Sequence, residues 1–190
     1  MNKFIEIPAN KNSLAQRKPM CGVGINDAWY IVRREINGKS QMCPFYKKWI
    51  GMLRRCYSNQ WHFEHPTYKG CTVCDEWLTF SNFRAWMIKQ DWQGKALDKD
   101  ILVQGNKVYS PDFCIFVTQA INNLLCDSKA RRGEFPLGVS LHKAVNKYRA
   151  RVGDEVLGYF TDVDSAFAAY KVAKYKKIRD VAIIQSEPLR

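Results

Sequence analysis

The sequence predicts an α+β chain ending in a three-stranded antiparallel sheet packed on one helix. Three observations predict it. Phe45, Trp49, Met52, Leu53 and Cys56 recur at helical spacing between Pro44 and Ser58. After Phe135, three short strand-like runs (138–142, 147–152 and 156–160) are separated by turns. Beyond them Val163, Ala166, Phe167, Tyr170, Ala173, Lys174, Ile178 and Val181 form one helical stripe, which a sheet would bury.

In chain order, residues 1–20 are polar, carry Lys3, Lys11, Arg17 and Lys18, and read as a flexible basic arm. Pro44 suits the first turn of the helix it opens. Lys47, Lys48, Arg54 and Arg55 fall mainly on that helix's other side. Asn59 to Lys69, with His62, His65 and Pro66, reads as a polar loop. A second helix is expected from about Thr79 to Lys89, with Phe80, Phe83, Trp86 and Met87 on one face. Leu97 to Val103 suits a strand, Gln104 to Lys107 a turn and Val108-Tyr109 a short return strand. Cys114 to Val117 follows, and then a helix from about Thr118 to Cys126. Asp127 to Glu134 is charged and ends in Gly-Glu, as a linker does. Thr161 with Asp164 resembles a capping box opening the last helix. The expected organisation is an arm over 1–20, a first domain over 21–127, a linker over 128–134 and a second domain over 135–185.

Charge narrows the function. The chain has 190 residues, of which 30 are Lys or Arg and 18 Asp or Glu, a formal net charge of +12. Such an excess favours a polyanion as partner. No run approaches the about 20 apolar residues of a membrane span, so no membrane partner is expected. The start lacks the apolar core of a signal peptide, which predicts a cytoplasmic protein, in the host cytoplasm if phage-encoded. Seven cysteines, an odd number, in a reducing setting point to metal binding or plain burial before disulfides.

Gly138-Val139-Ser140, Tyr148-Arg149-Ala150-Arg151-Val152, Leu157-Gly158-Tyr159-Phe160 and Ala166-Phe167-Ala168-Ala169-Tyr170 together resemble the Apetala-type DNA-binding domain. The resemblance implies that the sheet lies in the DNA major groove, with Lys143, Lys147, Tyr148, Arg149 and Arg151 as contacts by position. Strand alternation refines this. Lys147, Arg149 and Arg151 point one way; Tyr148, Ala150 and Val152 point the other, toward the helix. Tyr148 therefore reads as core or rim. Arg131 and Arg132, at the linker, are further candidate DNA contacts.

Upstream, Tyr46-Lys47-Lys48-Trp49, Met52-Leu53-Arg54-Arg55-Cys56-Tyr57, Cys71-Thr72-Val73-Cys74-Asp75-Glu76-Trp77, Leu97-Asp98-Lys99-Asp100, Gly105-Asn106-Lys107 and Tyr109-Ser110-Pro111-Asp112-Phe113-Cys114 resemble, in order, phage HNH (His-Me finger) proteins. That resemblance implies a ββα-metal unit over 97–126 and a homing-type endonuclease or nickase acting on double-stranded DNA. By position, Asp98 falls at the carboxylate that ligates Mg²⁺ or Mn²⁺, Asn106 in the loop, and Asn122 or Asn123 at the helix ligand, with Asp100 a second carboxylate. Such a metal offsets charge on the leaving oxygen. Lys99 stands where the family's Asp-His pair places its His; a charged Lys cannot accept a proton unless burial lowers its pKa, and it could instead bind the phosphate or stabilise charge at the transition state. Two functions stay open: an HNH endonuclease, or a degenerate HNH scaffold that binds and regulates DNA without cutting. RNA binding is allowed by charge but not favoured by the C-terminal pattern. Asp98, Lys99 and Asp100 also read as an ordinary charged hairpin, and the Asn pair as a polar helix end.

Cys71-x-x-Cys74 has a spacing suited to tetrahedral Zn²⁺, with Cys56 and Cys114 the best-placed further ligands and His62 and His65 as alternatives. Burial is the competing account of the same cysteines.

Overall fold

The computed structural model describes residues 4–125, 134–183 and 185. It divides into two units, Met1–Val117 and Thr118–Arg190. The boundary precedes the expected 128–134 linker. The reason is Ile121, which is buried on a helix that packs within the second unit.

In the first unit, residues 4–20 are tied down, although a loose arm was expected of them. Helix α1 (Lys11–Ala15) is capped by Asn10, whose Oδ1 accepts from Ser13 N at 2.7 Å. Arg17 donates to the carbonyls of Asn26, Ala28 and Tyr30, and Ala9 N donates to Trp29 O at 3.0 Å. Strands β1 (Arg33–Ile36) and β2 (Lys39–Met42) form a hairpin around Asn37 and Gly38, at φ 50° and 71°. Positive φ at both central residues is the primed-turn geometry that matches strand twist.

Helix α2 (Pro44–Tyr57) buries Tyr46, Trp49, Ile50, Met52, Leu53 and Cys56. Trp49 packs with the rings of Tyr46 and Phe80, and its Nε1 donates to Trp77 O at 2.7 Å, so the largest core side chain leaves no polar atom unpaired. The expected 59–69 loop instead holds α3 (Asn59–Glu64), because Ser58 Oγ accepts from Trp61 N at 3.3 Å and caps it. Helix α4 (Phe80–Ile88) follows β3 (Thr72–Val73) and buries Phe80, Phe83 and Met87 against the same core.

The expected hairpin between 97–103 and 108–109 does not form. Strand β4 (Ala96–Asp98) pairs antiparallel with β6 (Ile115–Val117), while β5 (Val108–Tyr109) pairs in parallel with β3. The intervening chain is a loop whose polar groups bond to one another.

The second unit begins with α5 (Gln119–Leu125). Its sheet has the expected order: β7 (Val139–His142), β8 (Lys147–Val152) and β9 (Glu155–Phe160), all antiparallel, with α6 (Val163–Ile183) packed on them. Ala150 and Ala166 are fully buried in one cluster with Val139, which lets helix and sheet backbones approach closely. Gly138, at φ 79°, sits where a Cβ would overlap the Tyr170 ring. The expected Thr161–Asp164 capping box is absent. Asp162 caps α6 instead, its Oδ1 accepting from Ser165 N at 2.7 Å. That bond holds the exposed Asp162 carboxyl below its ordinary range.

Candidate nucleic-acid interface

The sheet of the second unit has two chemically opposite faces. Toward α6 lie Val139, Tyr148, Ala150, Val152 and Phe160, and Tyr148 meets Phe135 edge-on at 5.4 Å. The other face follows from register. Arg149 sits between Ser140 on β7 and Tyr159 on β9, Lys147 opposes His142, and Arg151 opposes Val156. Between Gly158 and Val156 the β9 register skips Leu157 while β8 advances by one residue. The bulge therefore lies in β9, and Lys147, Arg149 and Arg151 keep their common face.

Lys147 and Arg151 are exposed and Arg149 is half-buried. None of the three joins an ion pair; among the described residues those are Arg84–Glu6, Lys95–Asp91 and Lys99–Asp100. Arg149 Nε and His142 Nδ1 are covered yet have no hydrogen-bond partner among the described residues. Tyr159 and His142 meet edge-on at 5.2 Å, an aromatic floor beside the cations. Neither was expected at this surface from the sequence. The alternation of β9 would have given Tyr159, and the pairing of β7 with β8 would have given His142. Lys143 is exposed in the turn before β8, where Asn146 takes a left-handed φ of 48°. Arg131 and Arg132 lie outside the described residues.

The 98–106 loop is a different kind of site. Asp98 Oδ1 accepts from the backbone N–H of Asp100 at 2.7 Å and of Ile101 at 2.9 Å. Lys99 is only 5 % exposed, against 54 % for the Asp100 side chain to which its ammonium donates. Lys99 Nζ also donates to Asn106 O at 2.8 Å. Asn106 spends its whole amide on the backbone: Nδ2 donates to Lys99 O and Val108 O at 2.8 and 2.7 Å, and Oδ1 accepts from Val108 N at 3.1 Å. Lys99, Asn106 and one oxygen each of Asp98 and Asp100 thus close the loop on itself.

Asn122 and Asn123 belong to the other unit, on α5, where Asn123 Oδ1 accepts from Gln119 Nε2 at 2.8 Å. A hard divalent ion takes about six oxygens. In this loop one oxygen of Asp98 accepts two amides and one oxygen of Asp100 accepts the Lys99 ammonium. Among the described residues no three His, Cys, Asp or Glu side chains gather to hold a metal.

Cys56, Cys71 and Cys114 are buried in the first unit and Cys74 half-buried, all as free thiols. Burial pushes the thiols of Cys56 and Cys114 up to about 12.

Among the described residues no helix is long and apolar enough to cross a membrane. No protein-family model, curated protein or solved structure matches the chain.

Proposed function

We propose that this chain binds double-stranded DNA through the face of β7–β9 opposite α6. One observation carries the reading: three cations on β8, held on a helix-backed sheet, have no carboxylate partner among the described residues. A charge left unpaired by the fold is available to phosphate, and each phosphate neutralised releases counterions. The duplex major groove, about 12 Å wide, admits such a sheet face. Arg149, central in the register, has the planar fork that reads guanine O6 and N7, while Lys147 and Arg151 flank it as phosphate contacts. The net charge of +12 supports the same partner.

Binding of the full chain to labelled duplex DNA, single-stranded DNA and duplex RNA, followed across salt, tests this reading. Duplex DNA should bind most tightly, and affinity should fall steeply as salt rises. Absence of affinity for any polynucleotide at low salt refutes it.

Cleavage is the second reading. It rests on the run β4–β6–α5, in which Asp98 ends β4 and a helix directly follows β6. Plasmid nicking with Mg²⁺ or Mn²⁺ decides it: nicking by the wild type that is lost in Asp98→Ala makes the chain a nuclease, and no nicking by either leaves a DNA-binding protein.

A further inference from the structure

The first unit holds a cation that the fold positions and does not neutralise. Arg55 lies in the last turn of α2. Its Nε donates to Tyr109 Oη at 2.9 Å, and its guanidinium carbon lies 5.3 Å from the Tyr109 ring centroid and 6.0 Å from that of Tyr68. Tyr109 is itself 2 % exposed, so this anchor is fixed. One donor and the guanidinium plane are thereby set.

The two Nη groups donate to none of the described residues, and neither is sealed from solvent. No carboxylate among the described residues pairs with Arg55. Lys99 Nζ approaches the same Tyr109 ring at 5.8 Å, so two cations converge on one aromatic. Asp100 answers Lys99, and the charge on Arg55 stays unanswered. Asp98 makes no ion pair with Arg55 either. Tyr68 flanks the guanidinium with its ring.

We propose that Arg55, oriented by Tyr109 and flanked by Tyr68, is a binding site for a single phosphate group. The two free Nη groups suit bidentate acceptance by two phosphate oxygens, the geometry in which a guanidinium binds best. The phosphate is either a free ion or one phosphodiester of a polynucleotide. The site uses none of the sheet residues and stands or falls independently of the sheet reading.

The test follows the Arg55 Nε–Hε resonance of the full chain by NMR. The probes are inorganic phosphate, a dinucleoside monophosphate with one phosphodiester, and chloride at matched ionic strength. A saturable shift with either phosphate probe, and none with chloride, is expected, with affinity in the millimolar range (about 4 kcal/mol). Tighter binding of the dinucleotide identifies a nucleic-acid backbone site; tighter binding of inorganic phosphate identifies a free-anion site. Arg55→Lys, which lacks that resonance and is followed through the Tyr68 and Tyr109 ring resonances, should weaken binding at least about tenfold, because an ammonium cannot make the fork. Should that variant unfold, Tyr109→Phe decides, since it removes only the hydroxyl fixing Nε and should also weaken binding. The shift should persist with Lys147, Arg149 and Arg151 all changed to Ala. No saturable shift, an equal shift with chloride, or unaltered affinity in the decisive variant overturns the proposal.

Discussion

Replacing Lys147, Arg149 and Arg151 together by Ala removes three positive charges from one face of β8. If all three meet phosphate, each contributes about 0.9 to the slope of log K against log salt, so the slope should fall by about 2.7. At about 0.1 M salt that is roughly a 500-fold loss of affinity, shrinking to roughly 80-fold at about 0.2 M. An Arg149 that reads a base instead contributes sequence discrimination of about 1–3 kcal/mol and less slope. Fold stability should change little. Lys147 and Arg151 are exposed and make no ion pair, and surface changes of this kind stay within about 0.5 kcal/mol each, while the half-buried Arg149 should cost about 1 kcal/mol. Fluorescence anisotropy on a labelled duplex over a salt series measures the slope, and urea unfolding checks the fold. A matched control removes Lys176, Lys177 and Arg179, three cations of α6. An unchanged slope in the sheet variant, or a larger loss in the α6 control, would refute the assignment of the face.

Three further outcomes are expected. Gly138→Ala should destabilise the second unit by about 2–4 kcal/mol, from left-handed φ and from the overlap with Tyr170, measured by urea unfolding; an unchanged midpoint would mean that the Tyr170 ring yields freely. Lys99→Ala strands the Asn106 carbonyl and frees the Asp100 carboxylate, and since Asp100 is half-exposed the cost should be about 1–2 kcal/mol, with faster amide exchange at Asn106 and Val108. Raising pH should destabilise the first unit. Burial lifts the Cys56 and Cys114 thiols from 9.0 to about 12, above their unfolded values, so their stabilisation is complete below about pH 9 and lost as pH climbs toward 12, by about 1.4 kcal/mol per thiol for each pH step of one. Urea midpoints near pH 7, 9 and 11 follow this, and Cys56→Ala should flatten the alkaline fall.

The parts of the fold that periodicity governs were legible. The stripe of α2, the Phe80–Met87 face of α4 and the sheet-plus-α6 unit all follow from one-sided burial at period 3.6 or 2. Three misses have local causes. Asn37-Gly38 is the strongest short hairpin signal, yet no hairpin was expected there. Ser58 capped a helix in a stretch whose polarity suggested loop. Asp162, one residue after the expected cap Thr161, opens α6 because its carboxylate reaches Ser165 N. The β4–β6 pairing was beyond local reading: strands of three residues carry too little pattern to choose a partner, and the choice is made by what fills the loop between them. For the sites, alternation alone placed Lys147, Arg149 and Arg151 on one face. Arg55 and Tyr109 are 54 residues apart in sequence, and no spacing rule joins them.

Polar residues that look catalytic in sequence divide in the fold into those consumed by the backbone and those left over. Asp98, Lys99 and Asn106 are consumed. The Lys99 ammonium, the Asn106 amide and Asp98 Oδ1 hold a loop with no regular strand pairing from 99 to 107, and a substrate group would have to break those bonds to use these atoms. Buried hydrogen bonds of this kind contribute about 1 kcal/mol each when made, and leaving a partner unpaired costs about 1–3 kcal/mol, so diversion to chemistry would open the loop. Lys147, Arg149, Arg151 and Arg55 are left over. The fold fixes their positions through β8 and through Tyr109 without neutralising them. A charge that is ordered at an entropic cost and meets no internal counter-charge is best accounted for by an external one. On that argument the groups proposed to bind anions are those the fold itself has not used.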